Sequence, residues 1–230
     1  MKTKTKLLFA VAPLLLSLNL LAQTNTETRD LGVFNAVKVS NSIEAELIKG
    51  DKHEVIISAS GIDLNRIETE IDNRTLEVEI DGSNFGASTV KVTITYVEID
   101  EVTANTSAKV FVKEVLQAKE VKLSAYTASY LEAKVNSQSL SLEAATNAKI
   151  FIDGTARTLA LKAYTNAEID GENLEVEEAT VKVNTAAHAN FSVNESIKGS
   201  AATAGKVYYK GNPNIVDVKT NTGGAIEGDM

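Results

Sequence analysis

Residues 139–170, SLSLEAATNAKIFIDGTARTLALKAYTNAEID, decide how this chain is read. Apolar and polar residues alternate through most of the stretch, which is the period of a strand and not of a helix. The stretch also repeats itself: AATNAKI at 144–150 returns as AYTNAEI at 163–169. The same pattern recurs on either side as ANTSAKV, AYTASYL, VNTAAHA and AATAGKV. The central threonines are Thr106, Thr127, Thr146, Thr165, Thr185 and Thr203, at spacings of 21, 19, 19, 20 and 18. One strand-like core recurring at this period is the mark of a solenoid, in which each coil stacks on the one before. The expected fold is therefore all-β, a right-handed parallel β-helix-like stack with coils of about 19 residues.

Successive strand residues face opposite sides, so parity sorts the inward from the outward positions. Leu140, Leu142, Ala144, Thr146, Ala148, Ile150 and Ile152 share one face. Leu159, Leu161, Ala163, Thr165, Ala167 and Ile169 do the same one coil on, followed by Val181, Val183, Thr185, Ala187, Ala189, Phe191 and Val193. This parity predicts an inward Thr ladder at a pinched point of the cross-section, its hydroxyls bonded to one another or to the backbone of a bend. A row of ligand-binding or ice-binding hydroxyls would need an outward, flat face, and parity assigns the row to the inside. Lys149, Glu168 and His188 fall on the outer face, in register across three coils.

The rest of the chain is less regular. Val37, Val39, Asn41, Ile43, Ala45 and Leu47 read as an early coil with Asn41 in the Thr position. Gly50-Asp51 reads as a turn, and Asp72-Asn73-Arg74 as the tip of a hairpin. A polar loop is expected over 81–88. The division is then an irregular β region at 29–100, regular coils at 101–210 and a closing cap and tail at 211–230, all within one domain, 23–230.

Residues 1–22 read as a secretory signal. Lys2, Lys4 and Lys6 precede an apolar run over 7–21, and Ala22 stands at the expected cut. The run is short for a membrane span, and no second such run follows. Cleavage would leave 20 basic against 31 acidic residues, a net charge of −11. So acidic a chain lacks the basic face that nucleic acid requires. The sequence has no Cys, which removes disulfides, thiol catalysis and Cys-ligated metal. With two distant histidines, His53 and His188, no metal or cofactor is expected.

Sites of chemistry are few. No phosphate loop, HExxH, GxSxG or dinucleotide fingerprint occurs. Asp153-Gly154 and Asp170-Gly171 read as turns rather than calcium ligands. Tyr126, Tyr130 and Tyr164 lie on the outward parity near the central threonines and are candidates for stacking on sugar rings. Phe111, Phe151 and Tyr208 fall on the same parity, which means either an apolar outer ridge or a shift of parity at a bend.

Several segments in order resemble a known bacterial family. They are FNAVKVSNSIEAELIKGDKHEVII, DNRTLEVEI, the repeated strands, and KVYYKGNPNIVDVKTNTGGAIEGD. Over about residues 29–228 the chain is similar to the putative auto-transporter adhesin, head GIN domain family. The resemblance implies a β-solenoid-like fold in proteins exported by Gram-negative bacteria, and it carries no catalytic motif. The expected function is a non-enzymatic, adhesin-like binding or scaffold module in the periplasm, on the surface or secreted, with a protein or glycan partner and room for oligomers. A carbohydrate-active enzyme on the same fold, a lyase or glycosidase, is the first alternative, and a periplasmic glycan-binding protein the second.

Overall fold

A computed structural model describes residues 24–82 and 88–229. The expected signal at 1–22, and most of the polar loop at 81–88, lie outside the described residues. The strands in chain order are β1 (Asn25–Asp30), β2 (Ala36–Val39), β3 (Glu44–Lys49), β4 (Glu54–Ser60), β5 (Ile67–Asp72), β6 (Thr75–Ile80), β7 (Thr89–Tyr96) and β8 (Glu101–Ala104). They continue with β9 (Lys109–Tyr126), β10 (Tyr130–Ala145), β11 (Lys149–Tyr164), β12 (Glu168–Asn184), β13 (His188–Ala202), β14 (Lys206–Lys210), β15 (Ile215–Thr220) and β16 (Ala225–Gly228). No helix among the described residues is long and apolar enough to cross a membrane.

β9 to β13 pair in parallel, each with the next. Lys109 lies beside Tyr130, then Lys149, Glu168, His188 and Lys206 in turn. That column reproduces the spacing of the threonines, so the sequence period is the pitch of a β-solenoid of about seven turns. The apolar residues of the three inward sets are buried, and they join one core that runs from Phe34 to Val207. Exposed ion pairs lace the outer face, among them Lys149 Nζ to Glu168 Oε2 at 2.6 Å. Each long strand bends within its coil. In β11 the bend is at Gly154 (φ +116°), where an added Cβ would stand 2.0 Å from the Val135 carbonyl oxygen of the coil beneath. Only glycine fits there. The turns expected at Asp153-Gly154 and Asp170-Gly171 thus both fall inside strands, β11 and β12, each where the pairing register shifts.

The N-terminal third is built differently. β2 and β3 form a first coil with Asn41 at its corner, and they lie parallel to β8 and β9. Glu44 pairs with Lys109, far along the chain, because β4 to β7 make an excursion between the two coils. On the outer edge of the first coil, β7 adds to β3 and β6 adds to β2, both in parallel. Antiparallel strands then complete the end: β4 on β7, β1 on β4, and β5 on β6. The expected hairpin is present, with Asp72 opposite Thr75 and Asn73 and Arg74 both at positive φ. The atypical strands close off one end of the stack, as terminal repeats of solenoids do.

The expected inward Thr ladder is corrected by the structure. Thr106, Thr127, Thr146, Thr165, Thr185 and Thr203 are all exposed. Each is the first of two consecutive left-handed residues, with the threonine φ between 45° and 59°. Asn41 and Thr222 occupy the same place in the first and last coils. The pair makes a tight corner whose tip points to solvent. A corner of two residues consumes an even number of positions, so alternation resumes in phase beyond it. Ala144 and Ala148 are both buried while Thr146 between them is not. A ladder does exist, but in the backbone. The N–H of the residue after each corner threonine, and after Asn41 in the first coil, donates to the threonine carbonyl of the next coil, at 2.8–3.0 Å from Ser42–Thr106 through to Ala204–Thr222. A buried hydroxyl beside this narrow point, that of Ser129, donates to the Ala104 carbonyl at 2.9 Å.

Candidate functional site

The sequence grouped three tyrosines, and the structure separates them. Tyr126 and Tyr164 are half-buried just ahead of their corners, with Ala145 in register between them, so a full coil divides the two rings. Tyr130 lies beyond the corner at Thr127 and Ala128, and the chain has turned onto the adjoining face. Burial pushes the Tyr126 phenol above its ordinary range. The corner threonines are exposed in file along the stack, so they stand on the surface, where a ligand-binding row would have to be.

Tyr130 belongs instead to a column of three rings. Its centroid lies 5.5 Å from that of Phe111 in the coil before and 5.3 Å from that of Phe151 in the coil after. The rings are tilted by 44° and 30°, within the range of favourable aromatic contacts. The register explains the column. Phe111, Glu132 and Phe151 are neighbours across three strands, and Tyr130 stands two residues before Glu132. An aromatic side chain reaches such a diagonal neighbour readily. Of the two readings the sequence leaves open for Phe111 and Phe151, the structure has the aromatic ridge, with Tyr130 completing it. Tyr208 lies exposed near the other end of the stack and takes no part.

Polar groups ring this ridge. The Tyr130 hydroxyl donates to Glu132 Oε2 at 2.8 Å, and burial together with that carboxylate pushes its pKa up to about 12. Lys113 Nζ stands 5.4 Å from the Phe111 ring centre, a cation–π arrangement, and pairs with Glu46 at 2.7 Å. Lys134 Nζ lies 3.8 Å from Asp153, which also accepts the Asn173 amide at 3.3 Å. Phe111 and Phe151 wall a cleft of about 350 Å³ into which Glu132, Asp153, Lys113 and Lys134 also face. The volume falls at the small end of ligand sites. Apolar ring surface bordered by donors and acceptors is a surface on which the CH face of a sugar can rest while its hydroxyls are bonded at the edge. Among the described residues no cluster of three or more His, Cys, Asp or Glu is disposed to hold a metal ion.

With this geometry in place, the comparisons decide the family. The chain matches the family described as "Putative auto-transporter adhesin, head GIN domain" over residues 33–213. It belongs to the head GIN domain family. No curated protein matches it. Solved structures share its fold. A "putative adhesin" of Bacteroides fragilis is 18% identical, with a TM-score of 0.81 over 90% of this chain and 97% of that one. A "putative adhesin" of Parabacteroides merdae is also 18% identical, with a TM-score of 0.72 over the same shares. A "putative lipid binding protein" of Parabacteroides distasonis is 14% identical, with a TM-score of 0.68, again over 90% and 97%. At these identities the likeness shows the head GIN fold alone.

Proposed function

We propose that this head GIN protein is exported by means of residues 1–22 and acts at the cell envelope or surface as a non-catalytic, adhesin-like module that binds glycan. The observation that carries the reading is the Phe111–Tyr130–Phe151 column with Glu132, Asp153, Lys113 and Lys134 about its cleft. A family named for adhesins supports the setting. The test has two parts. Fractionation with and without surface protease locates the mature chain, and periplasmic, surface-bound or secreted protein all fit, whereas retention in the cytoplasm does not. A glycan array probed with wild type and with the Phe111→Ala, Phe151→Ala double variant then tests the cleft. Glycan signal lost in a folded double variant is the expected result, and signal unchanged by it would overturn the site.

A carbohydrate-active enzyme is the second reading, favoured by the presence of two carboxylates in one cleft. Each has a structural partner: Tyr130 for Glu132, and Lys134 with Asn173 for Asp153. Binding is preferred for that reason. Turnover of any glycan found on the array, abolished by Glu132→Gln, would reverse the preference.

A further inference from the structure

A second cleft lies where the N-terminal excursion meets the first coils. It has a volume of about 460 Å³, well inside the range of small-molecule sites. Its walls come from the segment before β2, the ends of β3 and β7, the β5–β6 hairpin, and the bend within β9. Of its lining residues, His53 and Arg74 stand out in the sequence, as one of two histidines and as part of a hairpin tip, but nothing in the sequence brings them together.

Three independent features meet there. The first is apolar and exposed. Val33, Val97 and Val115 are 67%, 36% and 43% exposed, and they are three of the seven large apolar residues so exposed among the described residues. Single exposed valines are unremarkable, but three about one cleft form a patch. The second is charge. Lys49, Arg74 and Lys119 line the cleft, and none of them is in an ion pair among the described residues, although eleven other cations are. The acids in the lining are Glu98 and Asp100, and the Asp100 carboxylate already accepts the Asn35 amide at 3.2 and 3.3 Å. A cation-rich lining on a chain of net charge −8 runs against the field of the whole molecule. The third is an unmet bond. His53 lines the same cleft, packed on Phe34 with ring centres 4.4 Å apart, and its Nδ1 is buried without a hydrogen-bond partner. Buried polar atoms are rarely left so.

We propose that this cleft holds a small amphipathic carboxylate. The head lies among Lys49, Arg74 and Lys119, where the planar Arg74 guanidinium suits a carboxylate. The alkyl body covers Val33, Val97 and Val115. A purely hydrophilic anion would leave the valines in water, and a neutral alkane chain would leave Lys49, Arg74 and Lys119 with no carboxylate at ion-pair distance, since Glu98 and Asp100 in the lining pair with none of them and Glu114 beside it accepts only the Lys49 backbone N–H at 2.9 Å. The site is separate from the aromatic cleft on the solenoid, and it stands or falls independently of glycan binding.

The probe is octanoate, titrated into the whole protein by calorimetry, with octanol and acetate as controls. Octanoate is expected to bind saturably, and each control more weakly by roughly tenfold or more, since each lacks one half of the contacts. A triple Lys49→Gln, Arg74→Gln, Lys119→Gln variant should lose octanoate affinity by at least about tenfold. A matched Lys182→Gln, Lys198→Gln, Lys206→Gln variant, which removes cations elsewhere, should not. NMR of the wild type gives a readout that needs no variant to fold: octanoate should shift the signals of His53 and Val115. Octanol binding as tightly as octanoate, equal effects of the two triple variants, shifts confined to other residues, or no octanoate binding at all would each overturn the proposal.

Discussion

The regular coils and the N-terminal excursion use the same kind of strand to opposite ends. From β9 to β13 every neighbour is parallel and every step is one coil, so the pairing partner of a residue follows from the period. From β1 to β7 parallel and antiparallel pairs mix, and the first coil meets the second only after β4 to β7 have been laid on its outer edge. The difference teaches where the two candidate clefts come from. Repetition produces columns, and the aromatic column is one of them. Interruption produces irregular seams, and the cation-lined cleft sits in the seam.

The largest expected effect breaks the repeat itself. Gly154→Val, or Gly199→Val where φ is +130° and an added Cβ would lie 1.9 Å from the Val181 carbonyl oxygen, drives a side chain into the backbone of the coil beneath. Each should cost upward of about 3 kcal/mol from strain and collision together. Soluble yield and a circular-dichroism melt measure it, and a melt like that of the wild type would show that the coils are not so closely stacked.

Core truncation comes next and compares the two regions directly. Leu161→Ala in the coils and Ile57→Ala in the excursion should each cost about 2–5 kcal/mol. One core joins the regions, so both substitutions should lower a single unfolding transition. Two separate transitions would mean that the excursion unfolds on its own.

Alkaline pH supplies a gentler comparison. Tyr96, at the seam, is pushed up to about 12 by burial and then by Glu114, and Tyr130, on the coils, reaches about 12 by burial and Glu132. A phenol that ionises later when folded holds its proton more tightly in the native state. The stability it contributes is complete below pH 10 and is lost as pH rises through about 12. Tyr96→Phe and Tyr130→Phe should each flatten that loss and remove one late-ionising phenol from a tyrosinate titration. Phenols that all ionise near 10 in the folded protein would contradict both environments.

The smallest effect sharpens the corner. Thr is β-branched and costly in the left-handed region, whereas Asn tolerates it, as Asn41 does at the corner of the first coil. Thr146→Asn should therefore stabilise the protein by about 0.5–1 kcal/mol in denaturant unfolding. A loss of stability would show that the hydroxyl makes an interaction worth more than the strain.

Parts of both regions were legible in the residues alone. The strand period, the threonine spacing and the Asn73-Arg74 hairpin are local matters, set by side-chain alternation and turn chemistry. The corner escapes the parity argument because it preserves alternation, and the cue to it in the residues is Asn147, Asn166 and Gly223, all turn residues, directly after the threonine. The aromatic column was half legible. Phe111 and Phe151 are 40 residues apart, two coils, but nothing in the spacing announces that Tyr130 leans diagonally between them.

What the sequence by itself determined is therefore the repeat: an all-β stack, its pitch, its inward apolar faces and its family. Those follow from periodicity, because each coil must bury the same face against the next. Only the tertiary structure decided that the threonines point outward, that Tyr130 joins Phe111 and Phe151 rather than Tyr126 and Tyr164, and that Lys49, His53, Arg74 and Lys119 share a cleft. Each of these depends on where the backbone turns. A two-residue corner leaves no trace in the alternation, and an excursion of four strands brings together side chains that no period relates.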